Sequence, residues 1–185
     1  MADKNFSTNL SQFDNSWYKP GASFFKQGLW YFVSAIIFKT SLFPFSSLKT
    51  FLLKAFGATI GKGVNIKPSV NIKYPWRLSV GKFSWIGENV WVDNLDDVAI
   101  GSNVCISQGA MLLCGNHNFK NETFDLFTGK IIIEDGVWIG AKSIVCPGVI
   151  CKSHSILSVG SVATSDLDEF GIYQGNPAIK IKDRF

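Results

Sequence analysis

In the stretch Ile133-Glu-Asp-Gly-Val-Trp-Ile-Gly-Ala-Lys-Ser-Ile-Val-Cys-Pro-Gly-Val-Ile-Cys151 an apolar side chain returns at every sixth position: Ile133, Ile139, Val145 and Cys151. The series runs on to Leu157 and Ala163. Upstream the same period appears as Ile60, Ile66, Ile72 and Leu78, then Val80, Ile86 and Val92, then Ile100, Ile106 and Leu112. Small or β-branched residues often follow four places later, among them Val64, Val70, Ser84, Val137 and Ser143. A period of six fits neither a helix nor an alternating strand. It predicts a parallel β-coil whose short strands form the three sides of a triangular prism, repeated over about five coils. The aliphatic residue points inward and the small one packs near a corner. Glycine or asparagine (Asn65, Asn89, Asn103) suits corners that need positive φ. One coil cannot bury its own apolar face, whereas stacked coils share a continuous core. The slip of two at Leu78/Val80 and the extra pair between Val92 and Ile100 read as corner insertions.

The periodic region is predicted to span residues 58–185, including a C-terminal tail that leaves the repeat after Leu167. Residues 1–57 form a separate unit. Met1 to about Pro20 is a polar, Asn/Ser-rich arm with no secretory-signal pattern, so a cytoplasmic location is the default expectation. Ala22 to Phe56 is apolar and aromatic, and Ser46 to Phe56 reads as a helix stopped by Gly57. The apolar run Gly28–Phe38 is too short for a bilayer span, which takes about 20 residues. Two readings of this unit stand side by side. It is a pair of helices covering the open end of the solenoid, or an interfacial element of residues 22–56. In the second case Lys19, Lys26, Lys39, Lys49 and Lys54 would meet the anionic inner face of a membrane.

The net charge of +4 and 17% charged residues argue against a nucleic-acid partner and against a wholly disordered chain. The four cysteines, Cys105, Cys114, Cys146 and Cys151, form no C-x-x-C pair. Cys151 occupies an inward position, as expected of a buried, reduced thiol. Asn116 to about Lys130 is the one long interruption of the repeat, and loops of that size in a compact repeat tend to be functional. It opens with Gly115-Asn116-His117-Asn118-Phe119 and so carries one of the chain's two histidines. The other, His154, falls at a corner of an uninterrupted repeat and reads as a surface residue.

Together the repeat, the His-bearing loop, Val137-Trp138-Ile139-Gly140 and Gly175-Asn176-Pro177-Ala178 resemble the left-handed β-helix acetyltransferases. The likeness is to the maltose, galactoside and nodulation-factor O-acetyltransferases. Within these it is to the colanic acid biosynthesis acetyltransferases, through Trp85-Ile-Gly-Glu-Asn89 and Asp93-Asn-Leu95. It covers about residues 58–183. The resemblance implies a left-handed coil, although parallel crossovers are normally right-handed. It also implies a homotrimer with active sites between neighbouring prisms, acetyl-CoA as co-substrate with no metal, and a sugar or lipid-linked sugar as acceptor. His117 would be the general base. Asp93 and Asn94 would bind the acceptor or orient His117, with Asn89 a weaker match to the family's acceptor asparagine. Trp138, Ala141, Val159, Gly160 and Thr164 would lie along the acetyl-CoA arm, with Lys180 and Lys182 near its phosphates. No nucleophilic cysteine is expected, although Cys114 lies close to His117.

Three rival functions are weighed against this one. A γ-class carbonic anhydrase needs three zinc-binding histidines, and the chain has two. An inactive scaffold would have no use for the histidine loop. An N-acetyltransferase acting on an amino sugar would use the same machinery on a different acceptor.

Overall fold

The computed structural model describes residues 7–185, so the first six residues of the polar arm lie outside the described residues. Strands of two or three residues alternate with tight corners, and each pairs in parallel with its equivalent one coil later. The first face stacks Thr59–Ile60, Leu78–Val80, Val98–Ile100, Ile131–Ile133 and Ile150–Cys151. The second stacks Asn65–Ile66, Trp85–Ile86, Cys105–Ile106, Trp138–Ile139, Ile156–Leu157 and Gly171–Gly175. The third stacks Asn71–Ile72, Trp91–Asp93, Met111–Leu113, Ile144–Val145 and Val162–Ala163. This is a parallel β-solenoid, with one coil begun beyond the expected five. Leu167 bridges Cys151 and Tyr173 pairs with Leu157, so two faces of a sixth coil form. Leu167 and Tyr173 keep the spacing of six, but an aromatic ring replaces the aliphatic at the second position. Ala178–Asp183 then folds back antiparallel on Gly171–Gly175 and covers the last edge of the second face.

Every position of the six-residue series is buried, from Ile60 to Ala163, as are the small residues four places on. At the corner between the first and second faces φ is positive at Gly63, Phe83, Asn103, Gly136, His154 and Phe170. Between the second and third faces it is positive at Ser69, Asn89, Gly109, Lys142 and Gly160. Asn65 departs from expectation. It is an outward strand residue, and Gly63 makes that turn. His154 is exposed at its corner, its ring stacked on Phe170 with centroids 5.0 Å apart. The corner between the third and first faces differs from the other two. Pro75–Arg77, Asp93–Asp97 and the His117 loop all interrupt the repeat along this one edge.

Two helices close the open end of the first coil. Helix α1 spans Phe24–Val33, capped by the Ser23 hydroxyl on the Lys26 N–H, and runs on as a wider turn over Ser34–Phe38. Helix α2 spans Ser46–Ala55 and stops before Gly57, whose φ of +99° ends the helix. Their polar atoms meet the free strand edges. Ser46 Oγ takes the Ile66 N–H at 2.9 Å and donates to the Val64 carbonyl at 3.3 Å. Lys49 Nζ donates to the Lys67 carbonyl at 2.8 Å, and Trp30 Nε1 to that of Ile72 at 3.0 Å. Edge strands left bare would be templates for aggregation. Lys49 is fully buried and burial lowers its pKa, so it is not available to a lipid surface. Among the described residues no helix is long and apolar enough to cross a membrane.

Candidate active site

The loop after the third coil is a β-hairpin. Gly115–His117 pairs antiparallel with Leu126–Thr128, and His117 lies opposite Leu126. At its tip the Asn118 N–H donates to the Asp125 carbonyl at 2.8 Å, and Asn121 Nδ2 to the Asp125 carboxylate at 2.8 Å. These bonds hold Phe124 at a φ of +52°. Its carbonyl oxygen stands 2.9 Å from His117 Nδ1, and its ring stacks on the imidazole at 4.5 Å with 7° between planes. A carbonyl only accepts, so Nδ1 carries the proton and Nε2 of the neutral ring is left as an acceptor.

His117 forms part of the wall of an open cleft of about 460 Å³ on the third-to-first edge. The opposite wall comes from the N-terminal arm, which is strapped down that edge. The Asn9 N–H reaches the Glu122 carbonyl at 2.7 Å, and the Tyr18 hydroxyl donates to the Leu95 carbonyl at 2.8 Å. Trp76 Nε1 and the Arg77 guanidinium bind the Pro20 and Lys19 carbonyls at 2.7 and 2.6 Å. Phe13 lies 5.7 Å from the His117 ring, and Asn15, Tyr18, Lys73 and Tyr74 also face the cleft. Burial pushes the Tyr18 hydroxyl pKa upward, so it remains a proton donor. Sequence reasoning missed this arm as part of the site. Its aromatics, Phe13, Trp17 and Tyr18, were the available signal. A second cleft of about 400 Å³ lies between α1 and the third face, and neither a histidine nor a carboxylate lines it.

The expected acceptor residues separate. Asp93 pairs with Lys73 at 2.9 Å beside the cleft. Asn94 is fully buried; its Oδ1 accepts from the Tyr74 N–H at 2.9 Å and its Nδ2 donates to the Tyr74 carbonyl at 2.6 Å. Burial keeps its amide from a sugar in the cleft, and neither residue hydrogen-bonds His117, whose Nδ1 meets the Phe124 carbonyl. Asn89 sits at the second-to-third corner, on a different edge from His117. The expected acetyl-CoA residues also lie away from the cleft. Trp138 projects from the second face, its Nε1 donating to Ser107 Oγ at 2.9 Å. Ala141, Val159 and Gly160 follow at the second-to-third corner, where the Gly160 N–H binds the Ala141 carbonyl at 2.9 Å. Thr164 is exposed just past the third face. On the last strand Lys180 pairs with Asp183 at 2.7 Å, a hydrogen bond that raises its pKa, while Lys182 is exposed. Cys114 is buried, which pushes its thiol up to about 12 and keeps it protonated at neutral pH.

No protein-family model matches the chain. It is 35% identical over 164 residues to WcaF of Escherichia coli K12, an acetyltransferase named for colanic acid biosynthesis, covering 89% of this chain and 90% of that protein. The chain belongs to the hexapeptide-repeat acetyltransferases. Galactoside O-acetyltransferase of the same bacterium is a more distant relative of this acetyltransferase, 27% identical over 135 residues, covering 71% of this chain and 66% of that one. Among solved structures, a hexapeptide-repeat acetyltransferase of Vibrio cholerae complexed with acetyl coenzyme A superimposes with a TM-score of 0.79 at 18% identity, over 89% of this chain and 92% of that one. A galactoside acetyltransferase in complex with coenzyme A does so with a TM-score of 0.75 at 22% identity, over 86% and 81%. At those identities the likeness speaks for the fold.

Proposed function

We propose that this acetyltransferase moves an acetyl group from acetyl-CoA to a hydroxyl of a saccharide, free or lipid-linked, destined for an extracellular or capsular polysaccharide. The observation that carries the reading is the Phe124 carbonyl on Nδ1 of His117, which leaves Nε2 bare on the wall of a cleft rich in aromatic and polar side chains. Nε2 takes the acceptor hydroxyl's proton as the oxygen attacks the thioester carbonyl carbon. The C–O bond forms, the C–S bond breaks, and the imidazolium returns the proton to the departing sulfur. Proton and acetyl are both accounted for without a covalent enzyme intermediate. The acceptor would rest between Tyr18 and Tyr74 with Asp93, Lys73 and Asn15 as hydrogen-bonding partners. Coenzyme A in the solved relatives and the polysaccharide pathway in WcaF's name support the donor and acceptor classes.

Of the proposed donor residues, Ala141, Val159 and Gly160 lie on the second-to-third edge, Trp138 on the second face and Lys180 and Lys182 on the last strand, while Thr164 shares the edge of the proposed base His117 but lies about two coils beyond it. That separation favours a site shared between copies, and with the family resemblance the proposed assembly is a trimer of left-handed coils in which the second-to-third edge of one copy meets the His117 edge of the next. Residues 1–57 act as arm and cap, and residues 58–185 as the transferase domain. The test is release of free CoA from acetyl-CoA, with and without neutral and amino sugars, for wild type and His117→Ala. Acceptor-dependent release should fall about 10²- to 10⁴-fold in the variant. Unchanged turnover in folded His117→Ala would overturn the assignment, and a response to amines alone would move the acceptor to an amino sugar.

A further inference from the structure

We infer that the helix-capped end of the solenoid docks on the surface of an anionic lipid bilayer. Helix α1 and its continuation are apolar on both sides. One side packs Trp30 and Phe38 into the core, both buried. The other presents Phe25, Leu29, Phe32 and Ile36 at helical spacing, between 57% and 85% exposed. Leu42 and Phe45, in the link to α2, and Phe51 on α2 are also well exposed. A helix facing only water on that side would be polar there, and an uncovered apolar surface of this kind marks an interaction site.

Charge selects the partner. Between Asp14 and Glu88 the sequence has ten lysines and arginines and no acidic residue. Since the whole chain is +4, the rest of it is 4 − 10 = −6. The charge is thus polarised along the solenoid, with the helix-capped end positive. Lys39, Lys54, Lys62, Lys67 and Lys82 are exposed there and join none of the described ion pairs. Lys39 lies over the Tyr31 ring at 5.9 Å, at the flank of the apolar stripe. Apolar side chains rimmed by unpaired cations match the interfacial zone of a leaflet containing anionic headgroups. A neutral protein groove would satisfy the stripe and leave the lysines without a role. Docked this way, the solenoid stands on its capped end. His117, between the third and fourth coils, is held above the lipid by about 10–14 Å of stacked coils and one helix layer of about 10 Å.

The inference is independent of which acceptor is acetylated, and the experiment keeps the two apart. Full-length protein is floated with vesicles of phosphatidylcholine alone and with added phosphatidylglycerol. Binding should be at least about tenfold stronger to the anionic vesicles and should weaken with salt. Phe25→Gln/Leu29→Gln/Phe32→Gln should lose about tenfold or more of that binding. So should Lys39→Glu/Lys54→Glu/Lys62→Glu. Both variants should keep the wild-type circular dichroism, oligomeric mass and CoA release on a soluble acceptor. Failure of the wild type to bind anionic vesicles would overturn the proposal. So would a stripe variant whose oligomeric mass changes while its vesicle binding does not, because a second copy of the chain would then be what covers the stripe.

Discussion

Because a carbonyl oxygen only accepts, the contact between Phe124 and Nδ1 of His117 fixes the tautomer that the proposed base catalysis requires. His117→Gln should therefore be nearly as inactive as His117→Ala in the CoA-release assay, since an amide cannot take up a proton at neutral pH. Cys114→Ser, by contrast, should keep turnover within a few-fold of wild type, because a protonated, buried thiol is no nucleophile. Cys151 gives a pH prediction of definite sign. Burial pushes its thiol from 9.0 to about 12, so between those values the folded state holds a proton that the unfolded state has lost. Stability must then fall as pH rises through that window, by about 1 kcal/mol per unit. Urea midpoints from pH 9 to 11 should drop more steeply for wild type than for Cys151→Ala. At this scale the position of His117 in a loop that breaks the repeat was legible in the sequence, because a histidine opening the one long loop stands out. Its orienting partner was not, because a main-chain carbonyl leaves no side-chain signature. Asn94 misled for a related reason, since the chain gives no sign that its amide is consumed by the backbone of Tyr74.

Corners and caps set stability at the level of elements, and two glycines separate the causes. A Cβ on Gly140 would lie 2.6 Å from the Val159 nitrogen and 2.7 Å from the Leu157 carbonyl oxygen, in main chain that cannot swing aside. Gly148 has nothing within 4 Å but sits at a φ of +83°. Gly148→Ala should cost about 1–2 kcal/mol from backbone conformation alone. Gly140→Ala should cost more, about 2–4 kcal/mol, by wedging the fourth and fifth coils apart. Chemical denaturation of the two variants checks the order. The strands were legible because a period of six has no other reading, and each inward residue is buried. The sixth coil was hidden because Tyr173 interrupts the aliphatic series. The helices were legible as apolar stretches, but their work of satisfying strand edges through Ser46, Lys49 and Trp30 depends on distances between remote segments that no local pattern encodes.

Across the whole molecule, most outward positions of the second and third faces beyond Asn65 and Asn71 of the first coil are apolar, where a wet sheet would carry polar residues. Trp85, Trp138 and Ile156 mark the second, and Trp91, Met111 and Ile144 the third. Light scattering should give three times the chain mass, and Met111→Arg should lower that mass together with activity, since each proposed site needs two copies. The first face, with Thr59, Ser79 and Ala99 outward, lacks this character in its early coils. The arm's place beside His117 was not legible, because it joins residues about a hundred positions apart through main-chain bonds. The edge it covers differs from the other two in one lasting respect: the solenoid's irregular corner insertions fall on it, while the two remaining corners keep constant length. A segment lengthened or exchanged there leaves the stacking register of all three faces untouched. The scaffold and the proposed recognition surface can therefore diverge independently, so that new acceptor preferences would arise by replacing Asp93–Asp97 or the hairpin tip without renegotiating how the chain folds.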